Sequence, residues 1–255
     1  MSPNDRLYRT DALILRRADF GEADRLLTVY TPQRGKLRLL AKGVRKTTSR
    51  KAGHVELFML TNMLVARGRT WDIISQAEIV EPYRGLRDNL DRTSQAYYLA
   101  ELVDRFTEEH DANLPLFELL ALTLAHLGHT ADAFVVLRYF ELHLLNLTGF
   151  QPQLHYCVAC QEALEPVDEN YFHAVDGGAL CPTHGQNRPN AEPLSLPVLK
   201  VLRFLQAEPW ETATQLQITP KTRQQVESLL LGYITFLLER QLKSVDFLRK
   251  VQRES

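Results

Sequence analysis

The stretch Leu26-Leu27-Thr28-Val29-Tyr30-Thr31-Pro32-Gln33-Arg34-Gly35-Lys36-Leu37-Arg38-Leu39-Leu40 decides how the first third of the chain folds. Pro32 presets φ for the first turn position and Gly35 can take positive φ, so residues 26–30 and 37–40 pair as a hairpin across a three-to-five residue loop. Apolar runs at 12–15, 55–65 and 71–80, separated by turn residues, supply three more strands. A sheet this small presents long bare edges unless it closes, so a small antiparallel barrel is expected over residues 1–82.

After Glu81-Pro82-Tyr83 the apolar period changes from two to 3.6. Residues 92–110 align Ala96, Leu99, Ala100, Leu102, Val103 and Phe106 on one face, and residues 131–148 align Phe134, Leu137, Phe140, Leu144 and Leu147 ahead of Gly149. A shorter helix is expected at 114–127. Ser195 ahead of Pro197, and Thr219-Pro220, announce two more, the last running to about Arg240. Residues 151–190 break this pattern, being rich in turn residues and holding all three cysteines. The expected fold is α+β in two domains: a barrel, then an all-α helical domain over 83–255 with a small metal-binding insertion at about 151–190.

The chain has 255 residues, 45% hydrophobic and 24% charged, which disfavours disorder and coiled coil. Glu118, His126, Asp132 and Arg138 interrupt the most apolar region, and the start MSPNDRLYRT lacks a signal peptide's apolar core, so a cytoplasmic location is expected. The net charge of -1 hides an asymmetry: residues 1–83 hold 15 Lys/Arg against 9 Asp/Glu (+6), and residues 84–255 hold 15 against 22 (-7). Arg34, Lys36, Arg38, Lys42, Arg45, Lys46, Arg50 and Lys51 put eight cations into eighteen residues without an acid. Such density is self-repelling unless a polyanion relieves it, and nucleic acid is the common one. The competing reading is a solvated loop on a basic domain. Strand alternation puts Lys36 and Arg38 on one face. Tyr8, Phe20, Tyr30, Phe58 and Trp71 are read chiefly as barrel core, with base stacking as the alternative. Phosphate-loop, dinucleotide-binding, metalloprotease and nucleophile-elbow motifs do not occur, so no enzyme is expected. Glu108-Glu109-His110-Asp111 is read as a solvated helix end.

Cys157-Val158-Ala159-Cys160 and Cys181-Pro182-Thr183-His184 are two knuckles twenty residues apart. Each turns the chain so that both its side chains face one ion, and three thiolates plus an imidazole fill a tetrahedral zinc shell with no open position, which argues for structure over catalysis. His155 or His173 are alternatives to His184, and buried free cysteines are the competing reading. Residues 170–175 followed by Asp176-Gly177-Gly178 read as a hairpin between the knuckles.

Three segments together resemble the bacterial RecO family of DNA repair and recombination mediators: Ala12-Leu13-Ile14-Leu15-Arg16 leading to Gly21-Glu22-Ala23-Asp24-Arg25; Gly35 through Arg45; and Arg138-Tyr139-Phe140-Glu141-Leu142 through Gly149-Phe150-Gln151-Pro152. Residues 190–255 match only in helical character. The resemblance implies an OB-fold barrel, binding of single- and double-stranded DNA, strand annealing, and loading of RecA with RecR onto DNA coated by single-strand-binding protein, in a nucleoid-associated setting. It carries DNA binding onto Arg34, Lys36, Arg38, Lys42, Arg45 and Lys46, and binding of the single-strand-binding protein tail onto the helical domain, with Arg138 as the arginine. A surface pair of Arg138 with Glu141 or Glu101 is the alternative there. His184 departs from the family's four-cysteine pattern. A zinc-containing OB-fold RNA- or ribosome-associated protein and a metal-dependent hydrolase are the rival functions.

Overall fold

The computed structural model describes residues 6–238. Five strands, β1 (Leu7–Phe20), β2 (Asp24–Thr31), β3 (Gly35–Ala41), β4 (Leu60–Ala66) and β5 (Asp72–Glu81), close a barrel in the order β1-β2-β3-β5-β4. Every pairing is antiparallel except the closing one, where Leu39 and Leu40 lie parallel to Asp72 and Ile73. This is the five-stranded OB-fold. Ile14, Leu27, Val29, Leu37, Leu39, Met63, Val65 and Ile74 fill the interior. Leu37, Leu39 and Ala41 point inward, so Lys36 and Arg38 lie on the outer face of β3.

The five apolar runs are the five strands, and two differ in extent. Beyond a register shift at Ile14/Arg16, residues 16–20 remain paired with β2 although their side chains are exposed, so no apolar pattern marks them. β4 starts at Leu60 because Phe58 takes φ 63 and ends the extended run. The Ile14 amide donates to Met59 O at 3.2 Å, and the Phe58 amide donates to Ile14 O at 2.9 Å.

Compactness divides the chain between Thr130 and Ala131. The first unit adds α1 (Leu90–Phe106) and α2 (Leu114–Leu127) to the barrel, capped by the Asn89 and Asn113 side chains. In the second unit α3 (Phe134–Leu147) is buried on almost every side. It is followed by β6 (Asn170–His173), β7 (Gly178–Leu180), the one-turn α4 (Pro182–Gly185), β8 (Glu192–Leu194), α5 (Leu196–Ala207), α6 (Trp210–Ala213) and α7 (Pro220–Leu237). Thr219 caps α7 by accepting from Thr222 N–H, as its sequence position implies. Ser195 flanks α5 without a side-chain cap, and the Asp168 carboxylate accepts from Leu196 N–H at 2.9 Å instead. The extension of the last helix to Arg240 lies outside the described residues.

Candidate nucleic-acid interface and metal centre

The outer face of β3 carries a second layer of chain. α1, expected to reach residue 110, stops at Phe106, and Thr107 turns extended. At this helix end sits Lys36, whose ammonium donates to the carbonyls of Asp104 and Thr107 at 2.6 Å each and pairs with the Asp104 carboxylate at 3.2 Å. A cation thus occupies the negative end of the helix dipole, where it is favoured. Residues 107–111 then run along β3: His110 N–H donates to Lys36 O at 3.0 Å, and Arg38 pairs with Glu109 at 2.6 Å. Gly35 takes φ +60, and a Cβ there would lie 1.9 Å from the Asp111 carbonyl, so only glycine accepts both the turn and the covering strap. Tyr30 is buried on this side; burial, then the Asp111 charge, pushes its phenol up to about 12. Residues 108–111 are exposed, as expected of a solvated segment, but they lie beyond the end of α1 rather than in it, and Glu109 is the partner of Arg38 on the barrel. Lys36, 9% exposed, is a structural cation rather than a surface one.

The rest of the basic run lies at the other end of β3. Lys42, Arg45, Lys46 and Arg50 are exposed. Their loop is tied to the β1–β2 turn, because Gly43 N–H donates to Asp24 at 2.7 Å and Arg45 N–H donates to Ala23 O at 2.9 Å. Arg45 also lies 3.5 Å from Asp19. Lys51 turns inward to donate to Ile74 O at 2.9 Å, and burial lowers its pKa. Arg34 precedes β3 and stacks 4.2 Å from the centre of the Tyr8 ring. Of the eight cations, four form one exposed edge, two are structural, one is paired with Glu109 and one is stacked. Of the aromatics, Tyr30 and Phe58 are core, Phe20 is exposed, Trp71 is half-buried, and Tyr8 is covered by Arg34.

In the second unit, the ligand atoms of Cys157, Cys160, Cys181 and His184 all lie within 4.8 Å of one another. The first knuckle bends through Gln161 at φ 63, whose N–H donates to Cys157 O at 2.8 Å. The second wraps the start of α4, with His184 N–H donating to Cys181 O at 3.1 Å and Nδ1 of His184 lying 3.1 Å from Cys181 Sγ. The β6–β7 hairpin joins the knuckles through Gly177 at φ +73, and β8 adds a third strand. Burial raises the Cys157 thiol, but backbone N–H groups of Cys181, Cys160 and Ala159 outweigh it and bring the pKa to about 7. For Cys160 the Glu162 amide lowers the pKa, while burial and the Cys157 sulfur raise it more. One low and one raised thiol crowded together are what an ion would neutralise, and the set can hold a metal ion. Of His155, His173 and His184, it is His184 that joins the cluster, whereas Nδ1 of His173 lies 2.8 Å from the Asp176 carboxylate.

Arg138 is 4% exposed, paired with the buried Glu141 at 2.5 Å and with Glu227 at 3.4 Å. The accessible guanidinium on this face is Arg223, which lies 5.0 Å over the Phe134 ring and 2.6 Å from Asp132. Arg138 is thus a buried network residue and not a surface arginine. Its helical position alone left the face ambiguous, because α3 is apolar nearly all round.

No described helix is long and apolar enough to cross a membrane. The family model described as "Recombination protein O N terminal" matches residues 1–83, and "Recombination protein O C terminal" matches residues 87–246. The chain is 45% identical to the DNA repair protein RecO of Roseiflexus sp. (strain RS-1) over 249 residues, covering 98% of this chain and 87% of that protein. It is 34% identical over 251 residues to the DNA repair protein RecO of Dehalococcoides mccartyi (strain ATCC BAA-2266 / KCTC 15142 / 195), covering 98% of each. With both halves matched in order and the barrel and Cys3His cluster in place, the chain belongs to the RecO family of DNA repair proteins.

Proposed function

We propose that the protein is a non-enzymatic recombination mediator. It binds single- and double-stranded DNA on the exposed barrel edge of Lys42, Arg45, Lys46 and Arg50, anneals complementary strands, and acts with RecR to load RecA onto DNA coated by single-strand-binding protein. The observation that carries this reading is the edge itself: four cations on one loop, fixed against the β1–β2 turn. Duplex DNA carries roughly one charge per 1.7 Å, and neutralising phosphates there lowers the repulsion between strands that must meet. Base pairing supplies the free energy of annealing. Zinc suits the Cys3His donor set, since three thiolates and one imidazole complete a tetrahedral shell. Its contribution would be to lock the β6–β7–β8 element.

Recruitment by the tail of single-strand-binding protein is assigned to the second unit. Arg223, beside the Phe134 ring, is the group that would pair with an acidic terminus in place of Asp132. A strand-annealing assay tests the function: annealing should accelerate with added protein and persist on DNA coated by single-strand-binding protein. No acceleration on bare DNA would sink the reading. Acceleration on bare DNA that stops on coated DNA would remove only the recruitment step.

A further inference from the structure

Within the basic edge the chain reads Arg45-Lys46-Thr47-Thr48-Ser49-Arg50, three hydroxyl residues in a row among cations. The segment is anchored at both ends. Val44 packs in the barrel core, and Lys51 turns inward to Ile74 O. Between these anchors the chain forms neither helix nor strand. Lys46 N–H donates to Gly43 O at 3.2 Å, and Ser49 N–H donates to Lys46 O at 2.9 Å, which leaves Thr47 and Thr48 at the tip of the turn. Both are exposed, and among the described residues no hydrogen bond holds the hydroxyl or the N–H of either. Such a tip is where another protein can seize the backbone without unfolding the domain.

The register of the cations singles out Thr48. Arg45 stands three residues before it and Lys46 two, both exposed. Protein kinases select substrates by charge pattern, and carboxylates that grip an upstream arginine in bidentate fashion set the hydroxyl at the transferable phosphate. Thr47 has the buried Val44 in the corresponding position, and Ser49, with Lys46 there, is half-buried with its N–H tied into the turn. A phosphate at Thr48 would matter electrostatically. It brings about -1.5 to -2 charges at neutral pH into a loop whose exposed cations are Lys42, Arg45, Lys46 and Arg50. Arg45 already attracts one anion, the Asp19 carboxylate at 3.5 Å, so the edge can be neutralised from within the protein.

We propose that Thr48 is a phosphorylation site for a serine/threonine kinase that recognises arginine three residues before the acceptor, and that its phosphate switches the DNA edge off. The proposal rests on the DNA-binding reading above and adds its regulation. Thr48 Oγ1 bonds to the γ-phosphorus of ATP, the bond from that phosphorus to the β,γ-bridging oxygen breaks, ADP leaves, and the hydroxyl proton passes to a carboxylate base of the kinase.

The test incubates the full folded chain with magnesium ATP and a purified kinase of that specificity, and maps the product by mass spectrometry. One phosphate per chain should appear, on Thr48. T48A should take up none, and R45A should react about ten- to a hundredfold more slowly. Loss of about two cationic contacts should make log K against log salt for an oligothymidylate shallower by about 1.4 and weaken binding about tenfold or more at about 0.1 M salt, with the melting temperature unchanged. Unmodified T48A should bind the oligonucleotide within about twofold of wild type, and chain isolated from its own cells should carry the Thr48 phosphate. Phosphate confined to Thr47 or Ser49, an unchanged salt slope after modification, or no phosphate on chain from cells with and without DNA damage would each overturn the proposal. So would tenfold weaker binding by unmodified T48A, which would make the hydroxyl itself a DNA contact. Unmodified wild type that fails to bind the oligonucleotide would instead overturn the DNA-binding reading beneath it, while phosphoryl transfer to Thr48 would stand.

Discussion

Lys36→Met separates the structural cations from the proposed interfacial ones. The Lys36 ammonium makes two hydrogen bonds at 2.6 Å and an ion pair at 3.2 Å. Removing it leaves two helix-end carbonyls and the Asp104 carboxylate without that partner. A charged hydrogen bond contributes about 1.5–3 kcal/mol, and breaking a buried pair by deleting one partner costs about 3–5 kcal/mol. The side chains of Lys36 and Asp104 retain 11% and 22% exposure, so water screens part of this, and methionine recovers part of the stem's packing. The net expectation is a loss of about 2–4 kcal/mol, which for a chain of this size lowers the melting temperature by about 4–16 °C. Thermal melting followed by circular dichroism reads it, alongside a salt titration of DNA binding carried out well below the transition. The slope of log K against log salt should not change, since a buried ammonium releases no counterion from DNA. An unchanged melting temperature with a slope shallower by about one would refute the reasoning, because it would put Lys36 on phosphate with the strap open.

Gly35→Ala should destabilise the first unit by more than about 1 kcal/mol, because it adds a Cβ at φ +60 and 1.9 Å from the Asp111 carbonyl; urea unfolding checks it, and an unchanged midpoint would mean the strap is not seated. Metal should be present at one ion per chain and be released as pH falls. Binding requires thiolates, so protons compete with the metal for the three cysteines and affinity rises with pH; retention at pH 4 in a chelator assay would contradict the site. Arg138→Ala removes the ion pair of the buried Glu141 and should cost about 3–5 kcal/mol in stability. Arg223→Ala should instead weaken a labelled acidic tail peptide about tenfold without unfolding the protein; the reverse assignment of effects would restore Arg138 to the surface.

The barrel was legible because its interior follows strict alternation: Leu37, Leu39 and Ala41 inward, Lys36 and Arg38 outward. Alternation says which face a side chain takes but not what covers that face. Nothing local to Lys36 announces that Asp104 and Thr107, some seventy residues away, will satisfy it. The one available signal was the acidic run Glu108-Glu109-His110-Asp111, whose charge is complementary to β3. The knuckles were legible because a C-x2-C/H pair is a local turn that carries its own chemistry. The Asp168 cap on α5 was not, because it comes from 28 residues upstream.

The central claim is that DNA affinity resides in the exposed edge after β3, and the salt dependence of binding tests it most directly. Converting Lys42, Arg45 and Lys46 to Glu should weaken binding to every sequence alike and flatten log K against log salt by at least about two units, with the melting temperature unchanged. An unchanged slope would place the phosphate contacts elsewhere and contradict the account.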